Sequence, residues 1–148
     1  MKEGTFMKKA LLVILSLVLL LCLFGCDSKE APAGGGESKI TGSIAYFYEN
    51  EDTAIKAFYS EDTQVKEIEL SKGATYTIGL RPSFTGSKQA VYEGDCATFS
   101  FAEDCCEIAY IGIKDDHPIY EFTIKADSNF DLIVAVDNYS QSIKIIVK

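Results

Sequence analysis

Alternation of apolar and polar residues with a period of two constrains the fold of this chain more than any other feature. The clearest row consists of Ala74, Tyr76, Ile78 and Leu80, which alternate with Thr75, Thr77 and Gly79. Further rows are Tyr120, Phe122, Ile124 and Ala126, then Leu132, Val134 and Val136, then Ile143, Ile145 and Val147. Such rows, rich in β-branched and aromatic residues, are typical of strands with one buried face.

Clusters of Gly, Pro, Asn, Asp and Ser separate these rows and predict turns, including one at Arg81-Pro82-Ser83. The predicted strands cover residues 41–48, 53–59, 64–70, 74–80, 96–101, 106–113, 119–126, 131–137 and 142–148. For residues 52–59 a short helix is the alternative, because Ala54, Lys56 and Ala57 are weak strand formers. Many short strands separated by turns predict an all-β fold, an antiparallel sandwich of the immunoglobulin-like kind.

The N-terminal segment has a composition unlike the rest of the chain. Lys8 and Lys9 precede residues 10–24, an apolar run in which only Ser16 is polar. A membrane-spanning helix needs about 20 apolar residues, whereas the apolar region of a signal peptide needs about 7–15. The run therefore predicts a signal peptide, with an uncleaved membrane anchor and an ordinary secretory signal as the alternatives.

The end of that run carries a more specific motif, Leu23-Phe24-Gly25-Cys26. It resembles the lipobox of bacterial lipoproteins, with an aliphatic residue, a small residue and then cysteine. The resemblance implies that Cys26 carries a lipid of palmitate-like acyl chains and becomes the first residue after cleavage. Phe24 departs mildly from the usual pattern. The implied location is the extracytoplasmic face of a bacterial membrane, at the cell surface.

A polar segment follows, DSKEAPAGGGESK, which has no hydrophobic periodicity. We expect it to be a flexible tether, so the predicted organisation is 1–25 signal peptide, 26–39 lipidated cysteine and linker, and 40–148 sandwich domain. From Cys26 onward the chain has 11 basic and 21 acidic residues, a net charge of −10. This charge argues against nucleic acid as a partner, because nucleic-acid affinity depends on Lys and Arg neutralising phosphates.

Two segments of the predicted domain resemble bacterial immunoglobulin-like domains. Residues 67–78 are similar to their early pair of strands around a glycine turn, and residues 125–147 are similar to their closing pair. Asn129 stands where those domains often have glycine, and the chain has no tryptophan. The family implies a surface module for adhesion or spacing and supplies no catalytic residues.

Three cysteines lie in the predicted domain, and an exported location permits disulfides. By parity along the strands, Cys96 and Cys105 share the outward face and Cys106 lies in the core. A Cys96–Cys105 disulfide needs a bent connection between the two strands, because a direct hairpin places them too far apart. Three reduced thiols are the alternative.

Neither catalytic nor metal chemistry has a clear motif. His117, the chain's only histidine, is predicted to lie exposed in a turn beside Asp115 and Asp116, and no nucleophile elbow is present. Residues 127–131 begin like a calcium loop, but Leu132 replaces the required glycine and Asn138 the bidentate glutamate. We interpret this segment as a turn, with an irregular Ca²⁺ site as the alternative. No catalytic, cofactor or metal residues are therefore assigned.

Residues 116–120 loosely match a tyrosine corner, which would make 119–126 the penultimate strand. Because two further strands are predicted after it, we expect no such corner.

Aromatic residues are frequent at the start of the domain, with Tyr46, Phe47, Tyr48, Phe58 and Tyr59. Neighbouring aromatics on a strand point to opposite faces, so some of them should be exposed. We therefore expect a membrane-anchored, non-catalytic binding or structural module. An accessory or inhibitory subunit of another envelope protein is the alternative, and a glycan-binding module or an enzyme is less favoured.

Overall fold

Nine strands make up the part of the chain that the computed structural model describes, residues 36–50, 52–61 and 64–148. They are β1 (Lys39–Asn50), β2 (Thr53–Tyr59), β3 (Lys66–Leu70), β4 (Thr75–Thr85), β5 (Ala97–Ser100), β6 (Cys106–Lys114), β7 (His117–Ile124), β8 (Phe130–Val136) and β9 (Tyr139–Val147). All these residues belong to one compact unit, Gly35–Lys148. Within the described ranges no helix could cross a membrane.

The strands form two sheets that face each other across one core. The five-stranded sheet has the order β2-β1-β4-β7-β6, and the four-stranded sheet has the order β3-β9-β8-β5. If β4, β7 and β6 are taken as strands B, E and D, then β5, β8 and β9 take the places of C, F and G. The fold is thus the predicted immunoglobulin-like β-sandwich, with the β1–β2 hairpin added at the edge next to strand B.

One strand pair departs from the predicted antiparallel arrangement. β3 runs parallel to β9, with Ile68 opposite Ile145. The reason is the connection after β3, because the chain passes at once to β4 in the other sheet instead of turning back. β3 therefore lies beside β9 and runs in the same direction. The inward side chains of the two strands, such as Ile68 and Ile145, lie next to each other.

The core is built from the inward rows that the alternation predicted. Tyr76, Ile78 and Leu80 of β4 face Leu132 and Val134 of the opposite sheet as part of one buried cluster. Each fully buried aliphatic or aromatic side chain contributes about 1.5–3 kcal/mol through removal of its surface from water. Residues 53–59 form a strand, so the helix alternative is wrong.

The turn predicted at Arg81-Pro82-Ser83 is also wrong, because β4 continues to Thr85. Pro82 pairs with Ser43 of β1, whereas the pairing of β4 with β7 ends at Gly79. β4 therefore has a strand neighbour on only one side at Pro82, which is where a strand accommodates the missing N–H of proline.

Tyr120 connects the two sheets. It lies on β7 of the five-stranded sheet, and its hydroxyl accepts hydrogen bonds from the backbone N–H groups of Cys96 and Ala97, each 3.1 Å away. The Tyr120 ring packs edge-on against Phe99 of β5, with centroids 4.8 Å apart. β7 is the third strand from the end, so the expectation that Tyr120 is not a tyrosine corner is confirmed.

Candidate functional site

A pocket of about 370 Å³ opens on the outer face of the five-stranded sheet, the side turned away from the core. We call it the outer-face pocket. Its lining comes from β1, β4, β6, β7 and the two turns beside them: Tyr48, Asn50, Asp52, Thr77, Gly79, Arg81, Ile111, Lys114, Asp115, His117 and Ile119. A sheet face is normally flat, so the hollow needs a local cause.

The hollow exists because one row across the sheet lacks side chains at two positions. Tyr46 pairs with Gly79, Gly79 with Ile119, and Ile119 with Gly112. A Cβ at Gly79 would lie 3.2 Å from Cε2 of Tyr48, so glycine is what allows that ring to cross the sheet here. The pairing of β6 with β7 shifts register just before Gly112, whose φ is 134°, a region that favours glycine.

Arg81, the only arginine of the chain, lies in this pocket. Its guanidinium carbon lies 5.2 Å from the centroid of the Tyr46 ring, a cation–π distance. Among the described residues no carboxylate lies within ion-pair distance of it. In a chain whose net charge from Cys26 onward is −10, such an arginine is available for an external anion.

His117, the only histidine, also lines the pocket and is only 8% exposed. The prediction of an exposed turn histidine is therefore wrong. Asp115 and Asp116, with φ values of 49° and 63°, make the two-residue hairpin turn, so His117 already pairs with Lys114 inside the sheet. The sequence signal for this turn was the Asp-Asp pair, because aspartate tolerates the left-handed region.

Burial determines the ionisation of this histidine. Burial lowers the pKa of His117, Arg81 lowers it further, and Asp116 and Asp115 oppose the shift. The ring is therefore neutral at pH 7. Its buried Nδ1 has no hydrogen-bond partner among the described residues. Arg81 and His117 both line the pocket, two residues beyond the Gly79–Ile119 pair at which the pairing of β4 with β7 ends.

Tyr48 forms an aromatic wall of the pocket. Its ring centroid lies 6.2 Å from that of Tyr46, and both rings lie on the outer face while Phe47 between them is fully buried. The prediction that part of this aromatic cluster faces outward is confirmed. Burial raises the pKa of Tyr48, with Arg81 opposing the shift and Asp115 adding to it. The hydroxyl is thus a neutral hydrogen-bond group.

The pocket does not gather the groups that nucleophilic catalysis needs. His117 and Asp115 are present, but among the described residues the lining contains no cysteine or serine, and Thr77 supplies the only aliphatic hydroxyl of this set. Asp52 and Asp115 balance the charges of Arg81 and Lys114. The arrangement offers one guanidinium, aromatic surface and several oxygen acceptors, which is the chemistry of a polar binding site.

The three cysteines of the domain lie away from the pocket, and no disulfide joins them in this structure. Cys106 is buried, as predicted, and burial, with Cys105 beside it, raises its pKa to about 12. The prediction that Cys96 and Cys105 face outward is wrong, because both pack against the core. Each lies just before a strand begins, where the alternation does not yet apply. Whether Cys96 and Cys105 form a disulfide stays a prediction.

The segment that begins like a calcium loop has a structural role. Asp127 forms an ion pair with Lys72, and Oδ1 of Asn129 accepts a hydrogen bond from Val147 N at 3.0 Å. Across the described residues no three His, Cys, Asp or Glu side chains are grouped to hold a metal ion. The predicted lipid attachment at Cys26 and the signal peptide lie outside the described residues.

Known proteins show little similarity to this chain. No family model matches the chain, and no curated protein matches it. Among solved structures, domains 4 and 5 of the S-layer protein SbsC resemble it with a TM-score of 0.39 and 11% sequence identity. The match covers 58% of this chain and 49% of that one, so it spans about half of that structure.

Proposed function

We propose that this chain is an exported bacterial lipoprotein, anchored through Cys26 at the extracytoplasmic face of the membrane. Its sandwich domain is a non-catalytic binding module that holds its ligand in the outer-face pocket. The observation that carries the proposal is the placement of the only arginine, the only histidine and the Tyr48 ring in one hollow.

The anchor is supported by the sequence of the first 39 residues. A positively charged start, an apolar run too short for a typical membrane span, Cys26 and a glycine-rich tether follow one another. Acyl chains on Cys26 would supply membrane affinity of about 0.8 kcal/mol per buried CH₂ group.

Labelled palmitate tests the anchor when the full chain is expressed in a bacterium. Cys26→Ala should abolish labelling and release the chain from the membrane fraction. Cys22→Ala is the matched control, because Cys22 lies four residues earlier in the same leader, and it should leave labelling intact. Label that persists in Cys26→Ala contradicts the anchor at this residue.

The binding role is supported by the contrast between the pocket and its surroundings. Ligand sites in proteins are concave and combine apolar walls with a few converging polar groups. The outer-face pocket does so with Tyr48, Ile111 and Ile119 as walls and Arg81 and Asn50 as polar groups.

A photo-crosslinking amino acid tests the binding face on intact cells. It is introduced at Thr77 in the pocket or, as the control, at Ser142 on the outer face of the four-stranded sheet. We expect an adduct with an envelope component from position 77 alone. Equal adducts from both positions, or an adduct only from 142, contradict the assignment.

A second function, as an accessory subunit of another envelope protein, is favoured by one feature of β6. β6 is an edge strand of the five-stranded sheet, and it leaves Ile111 and Ile113 about half exposed. An edge strand with apolar side chains can pair with a strand of a partner protein. A crosslinker at Ile113 that captures a protein, with none captured from position 77, supports this alternative.

A further inference from the structure

We infer that the outer-face pocket binds an acidic saccharide, with the sugar carboxylate on Arg81 and the sugar ring against Tyr48. The inference rests on the proposed function, because it names the ligand class of the same pocket.

The carboxylate is assigned from the surroundings of Arg81. Its guanidinium lies over the Tyr46 ring, which holds its plane, and meets no carboxylate of the described residues. A planar guanidinium matches a carboxylate with two parallel hydrogen bonds. Beside it, His117 is neutral and adds no second positive charge. Of the two cations in the lining, Arg81 and Lys114, Arg81 is the one held over an aromatic ring, so we assign the acidic group to it.

The saccharide body is assigned from the rest of the lining. Tyr48 supplies a ring face against which the C–H groups of a sugar can pack, with Ile119 beside it. Asp52 and Asp115 supply oxygens that accept hydrogen bonds from hydroxyl groups, and the side-chain amide of Asn50, whose Oδ1 already accepts from the N–H groups of Asp52 and Thr53, can donate to one. The volume of about 370 Å³ is that of a small-ligand site and accommodates one or two sugar rings.

The same carboxylates argue against more highly charged ligands. Asp52 and Asp115 repel further negative charge, and the chain from Cys26 onward has a net charge of −10. A polyphosphate or a run of acidic residues would meet this repulsion. A sugar with one carboxylate per ring places its charge on Arg81 and presents hydroxyl groups to the aspartates.

Calorimetric titration of the purified full chain in detergent tests the inference with three probes. They are a uronic-acid disaccharide, the same disaccharide with its carboxyl groups reduced to alcohols, and a short peptide with a free C-terminal carboxylate. We expect the acidic disaccharide to bind about tenfold or more tightly than the neutral one, since a charge-assisted contact is lost with the carboxylate.

Variants connect the preference to the pocket. Arg81→Gln should remove the preference for the acidic over the neutral disaccharide. Arg81→Lys should keep part of it, because lysine has the positive charge but not the two parallel N–H donors of a guanidinium. Lys144→Gln is the matched control, since it removes one exposed positive charge from the other sheet and should change nothing. The thermal unfolding midpoint of each variant confirms that it is folded.

Three results would overturn the inference. One is equal affinity for the acidic and neutral disaccharides, and another is an acidic preference that survives in Arg81→Gln. The third is binding of the peptide without binding of either sugar, which would make the ligand a peptide. An adduct from Thr77 on cells, together with no sugar binding, rejects the saccharide and keeps the binding face. The lack of any adduct at Thr77 rejects the binding face itself.

Discussion

The two sheets of this sandwich have similar inner faces and different outer faces. Inward, both carry rows of buried aliphatic and aromatic residues, with one buried polar residue in each, Ser43 and Gln141. Outward, the four-stranded sheet shows mainly short or charged side chains, among them Glu67, Glu69, Thr98, Ser100, Asp131, Ala135, Ser142 and Lys144. The five-stranded sheet instead shows Tyr46, Tyr48, Arg81 and Ile119 around the glycine gap.

This difference distinguishes the outward residues that folding requires from those that it does not require. The alternating pattern requires an outward residue to be compatible with water, and serine or glutamate satisfies that condition. Compatibility with water does not require two tyrosines, the only arginine and a glycine at this place in the sheet. Gly79, in the middle of β4, even lowers the strand propensity. The outer face of the five-stranded sheet therefore has a composition that folding does not explain.

The largest effects should come from the inner faces and should be alike on both sheets. Phe122→Ala on β7 should lower the free energy of unfolding by about 3–5 kcal/mol and Leu132→Ala on β8 by about 2–5 kcal/mol, because each leaves a cavity. Both residues are fully buried. Urea unfolding of the two variants measures this. A loss confined to one sheet would contradict a shared core.

Tyr120→Phe tests the connection between the sheets. It removes the acceptor of the Cys96 and Ala97 N–H groups and should cost about 1–3 kcal/mol of unfolding free energy. Tyr110→Phe is the control, since Tyr110 lies beside Tyr120 but is 38% exposed, and it should stay within about 0.5 kcal/mol of the parent. Similar losses in both variants would contradict the role of the Tyr120 hydroxyl.

Gly79→Ala tests the gap in the outer face. The added methyl would meet the Tyr48 ring at 3.2 Å and displace it into the pocket, so the affinity for the acidic disaccharide should fall about tenfold, or about 1.4 kcal/mol. Ala135→Val makes a comparable addition to the outer face of β8 and should leave the affinity unchanged. Calorimetric titration compares the two. Undiminished binding in Gly79→Ala would show that the gap is not the site.

The smallest effect concerns pH and the only histidine. The folded pKa of His117 lies below its unfolded value of about 6.5, so the unfolded state binds more protons between those two values. The contribution of neutral, buried His117 to the free energy of unfolding is therefore complete above pH 6.5. It is lost as the pH falls toward the pKa of His117 in the folded state. Urea unfolding at pH 7.5 and 5.5 should show a larger decrease for the parent than for His117→Gln. An equal decrease would contradict the burial of His117.

The sequence predicted the strands well where their side chains alternate and the pairing is local. The rows of β4, β7, β8 and β9 lie where the alternation placed them, because burial of one face is a local requirement. The parallel β3–β9 pair joins residues 77 positions apart in the chain. Alternation does not predict it, because a strand alternates in the same way beside a parallel or an antiparallel neighbour.

Most of the candidate site could not be predicted from the sequence for the same reason. Arg81 was predicted to lie in a turn, because the Pro82 signal does not show that β4 has only one neighbour there. Its meeting with His117 and Tyr48 depends on the order β1-β4-β7, which pairs residues far apart in the chain. Of the three, only Tyr48 belongs to a group, the early aromatic residues, of which the sequence predicted that some face outward.

The most direct test of the account uses the fact that the chain contains one arginine. In a ¹⁵N-labelled chain, the Nε–Hε signal of Arg81 is unique and needs no assignment by mutation. During titration with the uronic-acid disaccharide, this signal should shift and reach saturation, and the ring signals of His117 should shift with it. An Arg81 signal that stays in place while other resonances shift to saturation would contradict the outer-face pocket as the binding site.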